Sequence, residues 1–140
     1  MSNKAIVLDA NILIRAVLGK RVRELIFENA ATVKFFAPDV AYADARKYLP
    51  ALLEKRGVQS GAALKVLDSL EIIVQSIDVE LYAGMQQQAL QRIAVRDADD
   101  WPVLACAMSL DCPVWTEDAD FFGTGVATWT TDRIELYLRG

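Results

Sequence analysis

Ala5-Ile6-Val7-Leu8-Asp9-Ala10-Asn11-Ile12-Leu13 decides the fold. Four apolar residues, two of them β-branched, form a run too short for a helix and suited to a buried strand. Asp9 ends the run. Ile12, Leu13, Ala16 and Val17 then recur at helical spacing as far as Gly19. Strand, acid, helix is the opening unit of a parallel sheet with helices on its faces. In such a sheet the carboxyl ends of the strands meet along one edge. An acid that closes a strand is therefore placed beside acids that close other strands.

The alternation continues outward from this unit. A second helix is expected over about Val22 to Ala30, and a strand over Thr32 to Phe36. Pro38-Asp39 opens a long helix with Val40, Ala43, Leu49, Leu52 and Leu53 on its apolar side. Pro50 predicts a kink or break there, and Gly57 its end. Ser60 is placed as the cap of a helix through Leu64 and Leu67. Ile72-Ile73-Val74 reads as the third strand. Asp78 caps a helix carrying Val79, Tyr82, Met85, Ala89, Leu90 and Ile93. The next helix starts near Asp99 or Asp100, with Pro102 in its first turn and Val103, Leu104, Ala107 and Met108 buried. Pro113 to Thr116 is the fourth strand, a short strand lies near Ala127 to Trp129, and a last helix runs from Asp132 to Leu138. The expectation is one α/β domain over residues 1–140.

The chain has 140 residues, 54% of them apolar, enough to bury a full core. No apolar stretch approaches the roughly 20 residues that span a bilayer. Met1-Ser2-Asn3-Lys4 lacks the long apolar region of a signal peptide. A soluble cytoplasmic protein with no membrane partner is expected. Cys106 and Cys112 are read as small apolar residues rather than a zinc site or a disulfide. Net charge is −4, from 19 acids and 15 bases. Setting aside Asp9, Asp44, Asp97, Asp100 and Asp118 leaves 14 acids, so the remaining surface is close to neutral. Arg15, Lys20, Arg21 and Arg23 form a modest basic strip, read either as a nucleic-acid contact or as a solvated helix face.

The acids carry the chemistry. The chain has no histidine, so hydrolysis would rest on carboxylates and a metal. Asp9 is either a helix N-cap or a ligand at the sheet edge, with Asn11 orienting it. Asp44 lies inside a helix, where Asp is a poor former, between Ala43 and Ala45 and with Val40 and Tyr48 at helical spacing. Near a buried face its charge demands a partner, and neither Arg46 nor Lys47 faces it on a helix. Asp97, Asp99 and Asp100 crowd three carboxylates into four positions before a helix, a repulsion that a cation relieves. In Thr116-Glu117-Asp118-Ala119-Asp120, Asp118 is the candidate ligand, Thr116 a hydroxyl donor and Asp120 the residue that fixes the turn. Oxygen ligands without sulfur or imidazole suit Mg²⁺ or Mn²⁺. Metal-assisted phosphoester hydrolysis follows as the chemistry of the site.

In order and context these pieces resemble a PIN domain, most of all the toxin ribonucleases of VapC type. The resemblance rests on Val7-Leu8-Asp9-Ala10-Asn11-Ile12-Leu13, Asp44 on the long helix, Asp97-x-x-Asp100 leading into Leu104-Ala105-Cys106-Ala107, and Trp115-Thr116-Glu117-Asp118-Ala119-Asp120-Phe121. It covers about residues 5 to 130. It implies a three-layer α/β/α sandwich with a central parallel sheet, and cleavage of single-stranded RNA by metal-activated water. It makes Asp9, Asp44, Asp100 and Asp118 the ligands of Mg²⁺ or Mn²⁺ and sets Asp97 beside them. Asn11, Thr116 and Arg15 are the candidates to orient ligands or substrate. Homodimerisation and inhibition by a small antitoxin protein are also implied. One departure is Asp44, where the family more often has Glu; the shorter side chain would reach a metal through water. Trp101 beside the acids is a candidate to stack on a base or a packing residue. Two other readings are a non-catalytic PIN-like module that binds RNA or protein, and a phosphoacceptor domain. The last needs a late lysine, and none follows Lys65.

Overall fold

A computed structural model describes residues 4–140; Met1, Ser2 and Asn3, part of the signal-peptide reading, lie outside the described residues. The strands are β1 (Lys4–Leu8), β2 (Val33–Pro38), β3 (Val74–Ile77), β4 (Val114–Trp115) and β5 (Thr128–Trp129). All pair in parallel, in the order β3-β2-β1-β4-β5. The helices are α1 (Ala10–Leu18), α2 (Lys20–Asn29), α3 (Asp39–Lys55), α4 (Ser60–Leu70), α5 (Val79–Tyr82), α6 (Gln86–Asp97), α7 (Trp101–Leu110) and α8 (Ile134–Arg139).

Side-chain alternation along the strands makes three layers. Ile6 and Leu8 point into one core with Phe35, Ala37 and Trp115, covered by α1 to α4 and α8. Val7 and Val114 point into the other, with residues of α5 to α7. A strand buried on both faces needs apolar residues throughout, which explains the unbroken run at the start. The chain is thus an α/β/α sandwich. Among the described residues no helix is long and apolar enough to cross a membrane.

The strand order reverses at β1: the chain builds β2 and β3 on one side, then returns to lay β4 and β5 on the other. Open α/β sheets bind ligands in the crevice at such a switch point, outside the strands' carboxyl ends. Asp9 follows β1 and Thr116 follows β4. Both are held by the sheet itself, the Asp9 N–H bonding Trp115 O (3.1 Å) and the Thr116 N–H bonding Trp129 O (3.0 Å).

Several expected elements shift. The third strand is Val74–Ile77 rather than Ile72–Val74, and Ile72 is 86% exposed. As an edge strand β3 buries only Val74 and Ile77 well, so polar Gln75 and Ser76 do not exclude it. The helix expected from Asp78 through Ile93 divides at Ala83–Met85, where the chain makes a 3₁₀ turn containing Gly84, a poor helix former. Helix α3 runs unbroken through Pro50. Pro50 is exposed, so water can satisfy the carbonyl that loses its donor. The buried face of α3 is Ala41, Tyr42, Ala45, Leu49 and Leu53; Val40 and Ala43 lie outside it. Ser60 begins α4 instead of capping it. Cys106 and Cys112 are both free thiols.

Candidate metal centre

Four acids arrive at the switch point on three connections. Asp9 lies between β1 and α1, Asp97 ends α6, Asp100 immediately precedes α7, and Asp118 follows β4. Carboxylate oxygens of Asp9, Asp100 and Asp118 all lie within 4.8 Å of one another, and so do those of Asp97, Asp100 and Asp120. Asp100 belongs to both groups.

Capping and clustering turn out to be compatible. Asp9 accepts the Ala10 N–H at the start of α1 through Oδ1 (2.7 Å). Asp97 Oδ1 accepts the Asp99 N–H (3.0 Å), and Asp118 Oδ1 the Asp120 N–H (2.9 Å). Each cap fixes a turn with one carboxylate oxygen and so holds the group rigidly at the edge. It is therefore Asp118, not Asp120, whose side chain fixes the last turn.

Thr116 is the hub. It is fully buried. Its hydroxyl donates to Asp9 Oδ2 (2.8 Å) and accepts from Asn11 Nδ2 and the Asp118 N–H (3.1 and 3.0 Å). Asn11 Nδ2 also donates to Asp9 Oδ2 (3.1 Å), and Asn11 Oδ1 accepts the Glu117 N–H (3.1 Å). One donor and two lone pairs are thus fully used. Thr116→Val is expected to cost about 1–3 kcal/mol, since it removes the acceptor of the Asp118 N–H and a donor to Asp9 Oδ2. Metal affinity should fall roughly 10–100-fold, as for other residues that orient ligands. Melting and Mn²⁺ titration check both effects, and Thr116→Ser should restore them. Unchanged affinity in the valine variant would show that Thr116 does not orient Asp9.

Electrostatics set Asp100 apart. Its Oδ2 is buried without a hydrogen-bond partner. Burial first, then the charges of Asp9, Asp118 and Asp97, push its pKa up to about 8. Burial also raises Asp9, against the Thr116 and Ala10 hydrogen bonds; the charges of Asp118 and Asp44 add to the rise. A buried carboxylate oxygen with no donor, facing other carboxylates, is costly. An all-oxygen donor set of this kind fits a hard divalent cation, whose charge removes the repulsion.

The other sequence candidates fall elsewhere. Asp44 is exposed on α3, in a row with Val40 and Tyr48, which are 39% and 52% exposed. The expectation of a helical Asp beside a buried face was therefore wrong, because the buried row of α3 is one residue over. Asp44 acts on Asp9 through its charge but is outside both close groups. Arg46 pairs instead with Asp68 (3.0 Å) and Glu71. Arg15 reaches Glu117 Oε1 at 3.7 Å. The basic strip is divided: Arg23 donates to Ala16 O at the end of α1, and Arg21 pairs with Glu135. Trp101 packs in the second core against Tyr82, ring centroids 5.7 Å apart.

Two kinds of residue escaped the sequence reading. Glu117 accepts the Thr131 N–H and hydroxyl through Oε2 (2.9 and 3.1 Å), tying the acidic turn to the segment after β5. Arg96 Nη1 donates to the carbonyls of Ala119, Asp120 and Phe122, and Arg92 Nη1 to Thr124 O (3.1 Å). These arginines, one turn apart on α6, hold the loop that follows Asp118. Gly125 lies against Arg92 at φ +89°, and a Cβ there would stand 3.0 Å from Arg92 Nη1. A side chain aimed at distant carbonyls leaves no local signature; only the spacing of Arg92 and Arg96 on one helix face hinted at a shared role.

The model of one family, described as PIN domain, matches residues 7–139. No curated protein matches the chain by sequence. Among solved structures, the chain is similar to PAE2754 from Pyrobaculum aerophilum, with a TM-score of 0.71, 14% identity, and coverage of 97% of this chain and 90% of that one. It is similar to a structure of VapBC2 from Rickettsia felis bound to a DNA fragment from their promoter (TM-score 0.62, 14% identity, 90% and 98% covered). It is also similar to VapBC-1 from nontypeable Haemophilus influenzae (TM-score 0.57, 17% identity, 91% and 98% covered). At these identities the likeness shows a shared fold.

Proposed function

Because the chain belongs to the PIN-domain family, we propose that it is a divalent-metal-dependent endoribonuclease cleaving single-stranded RNA, the toxin of a toxin–antitoxin pair. The observation that supports this most is the crowding of Asp9, Asp100 and Asp118 with the buried, unpartnered Asp100 Oδ2 among them. Asp9, Asp100 and Asp118 would hold Mg²⁺ or Mn²⁺. Asp44, exposed and one methylene shorter than Glu, would reach the ion through water. Asp97 and Asp120 share Asp100 with the first group and would adjoin it. When bound, such an ion supplies Lewis acidity, activating water and offsetting charge on the phosphate.

The chain's own residues do the rest. Thr116 and Asn11 keep Asp9 oriented through hydrogen bonds to its Oδ2. The capped turns keep Asp97 and Asp118 from swinging away when substrate arrives. A single domain, a cytoplasmic location, homodimerisation and a small antitoxin partner belong to the same reading. The exposure of Asp44 favours a second reading, a catalytically weak PIN-like module that binds RNA or protein.

Incubation with a mixed panel of structured and unstructured RNAs separates the two. With Mn²⁺ or Mg²⁺ the protein should cut single-stranded regions, and with chelator it should not. Cleavage that survives chelation contradicts the metal-dependent reading. Mn²⁺ binding without cleavage of any RNA in the panel favours the binding module.

A further inference from the structure

A cavity of about 380 Å³ is lined by Arg15, Arg21, Arg56 and Thr131, with Leu18 and Val22. Among the described residues no carboxylate lines it. Its guanidiniums are weakly committed. Arg15 meets Glu117 only at 3.7 Å, and Arg21 pairs with Glu135 near the surface. Among the described residues, Arg56 has no carboxylate within ion-pair distance. Exposed pairs of this kind contribute little, whereas a phosphate can engage guanidinium groups bidentately. Elsewhere Arg92 and Arg96 are held by backbone carbonyls and Arg46 pairs with two acids.

The cavity is also joined to the centre. Thr131 lines the cavity and donates to Glu117, whose N–H bonds Asn11, which in turn bonds Asp9. Arg15 stands six residues along α1 from Asp9, about 9 Å by helical rise, and its guanidinium reaches Glu117, the residue before Asp118. The need for such a site is plain from charge. A chain of net charge −4 with a carboxylate cluster repels a polyanion at long range, so binding requires a local basic patch.

We propose that this cavity is a nucleotide subsite, taking one nucleotide of the RNA strand beside the scissile phosphate. Its phosphate engages Arg15, Arg21 and Arg56, and its base or ribose packs on Leu18 and Val22. This subsite rests on the nuclease reading, which makes RNA the substrate.

The test is binding of a fluorescein-labelled single-stranded oligoribonucleotide to the full chain, measured by anisotropy in chelator at several salt concentrations. Arg56→Ala should weaken binding about 5–10-fold and lower the salt slope by roughly 0.7–1. Arg56→Lys should keep most of the slope, and Lys34→Ala, on β2, should change neither quantity. Melting and Mn²⁺ titration of each variant confirm that the fold and the metal centre are intact. Wild-type affinity and slope in Arg56→Ala and Arg21→Ala would overturn the subsite. So would a loss of affinity confined to a polyglutamate peptide, which would assign the cavity to a protein partner. Because binding is read without cleavage, failure of the nuclease reading shows separately, as a wild type that binds RNA through Arg56 but never cuts it.

Discussion

Asp100→Asn is expected to abolish metal-dependent RNA cleavage and, in chelator at neutral pH, to make the protein more stable. The loss follows from the position of Asp100, which is shared by both close groups of carboxylates. Removing a group that holds charge-stabilising machinery costs about 10²–10³-fold or more in rate. The gain in stability has a separate cause. In the folded chain, burial and the charges of Asp9, Asp118 and Asp97 oppose ionisation of Asp100. Asparagine has nearly the same shape and no charge to repel. Each pKa unit corresponds to about 1.4 kcal/mol; with screening at a partly exposed site, a gain on the order of 1–3 kcal/mol is expected at pH 8. An aspartate that served only the fold would give the opposite sign. Cleavage assays and chelated thermal melts on one preparation read both effects. Retained cleavage, or a lower melting temperature at pH 8, contradicts the assignment.

The second large effect is on wild-type stability against pH. The Asp100 carboxyl titrates near 3.8 when unfolded and at about 8 when folded. Below the lower value both states are protonated and Asp100 costs nothing. Between the two, the unfolded chain gives up its proton while the folded chain retains it. The unfolded state therefore gains relative to the folded one as pH rises. In chelator the melting temperature should fall across roughly pH 4 to 8, with this contribution levelling off above. Asp9, also raised by burial, acts in the same direction. With saturating Mn²⁺ the ionised carboxylates become the stable form, and the decline should flatten or reverse. Asp100→Asn should remove most of the decline. A chelated wild type whose stability rises steadily from pH 4 to 8 would show that the cluster is not strained.

Much of this was legible in the sequence because strand, acid and helix are local signals. Val7, flanked by Ile6 and Leu8, could be assigned to a two-faced buried strand, and Asp9 to its end, without knowledge of any partner. That Asp9 and Asp118, each following a strand, would share one edge followed from parallel topology. What failed depended on tertiary context. Ile72 looked like a strand residue because it is apolar, yet the edge strand begins at Val74 and leaves Ile72 in solvent. Asp44 was placed against a buried face because Val40 and Tyr48 are apolar at its spacing. The helix docks instead on the adjacent row of Ala41, Ala45 and Leu49. The role of Thr116 as a hub and the hold of Arg96 on the loop after Asp118 join residues far apart in the chain, and no periodicity reports such bonds.

The central claim is that Asp9, Asp100 and Asp118 together bind a divalent cation. Calorimetric titration of Mn²⁺ into the chelator-stripped protein at pH 7, in two buffers of different ionisation enthalpy, tests it most directly. Binding should release protons, because the Asp100 carboxyl, pushed up to about 8 by burial and its acidic neighbours, holds its proton at that pH until the ion displaces it. Asp100→Asn should bind far more weakly and release fewer protons. Absence of binding, or equal affinity in the variant with no proton released by the wild type, would contradict the claim.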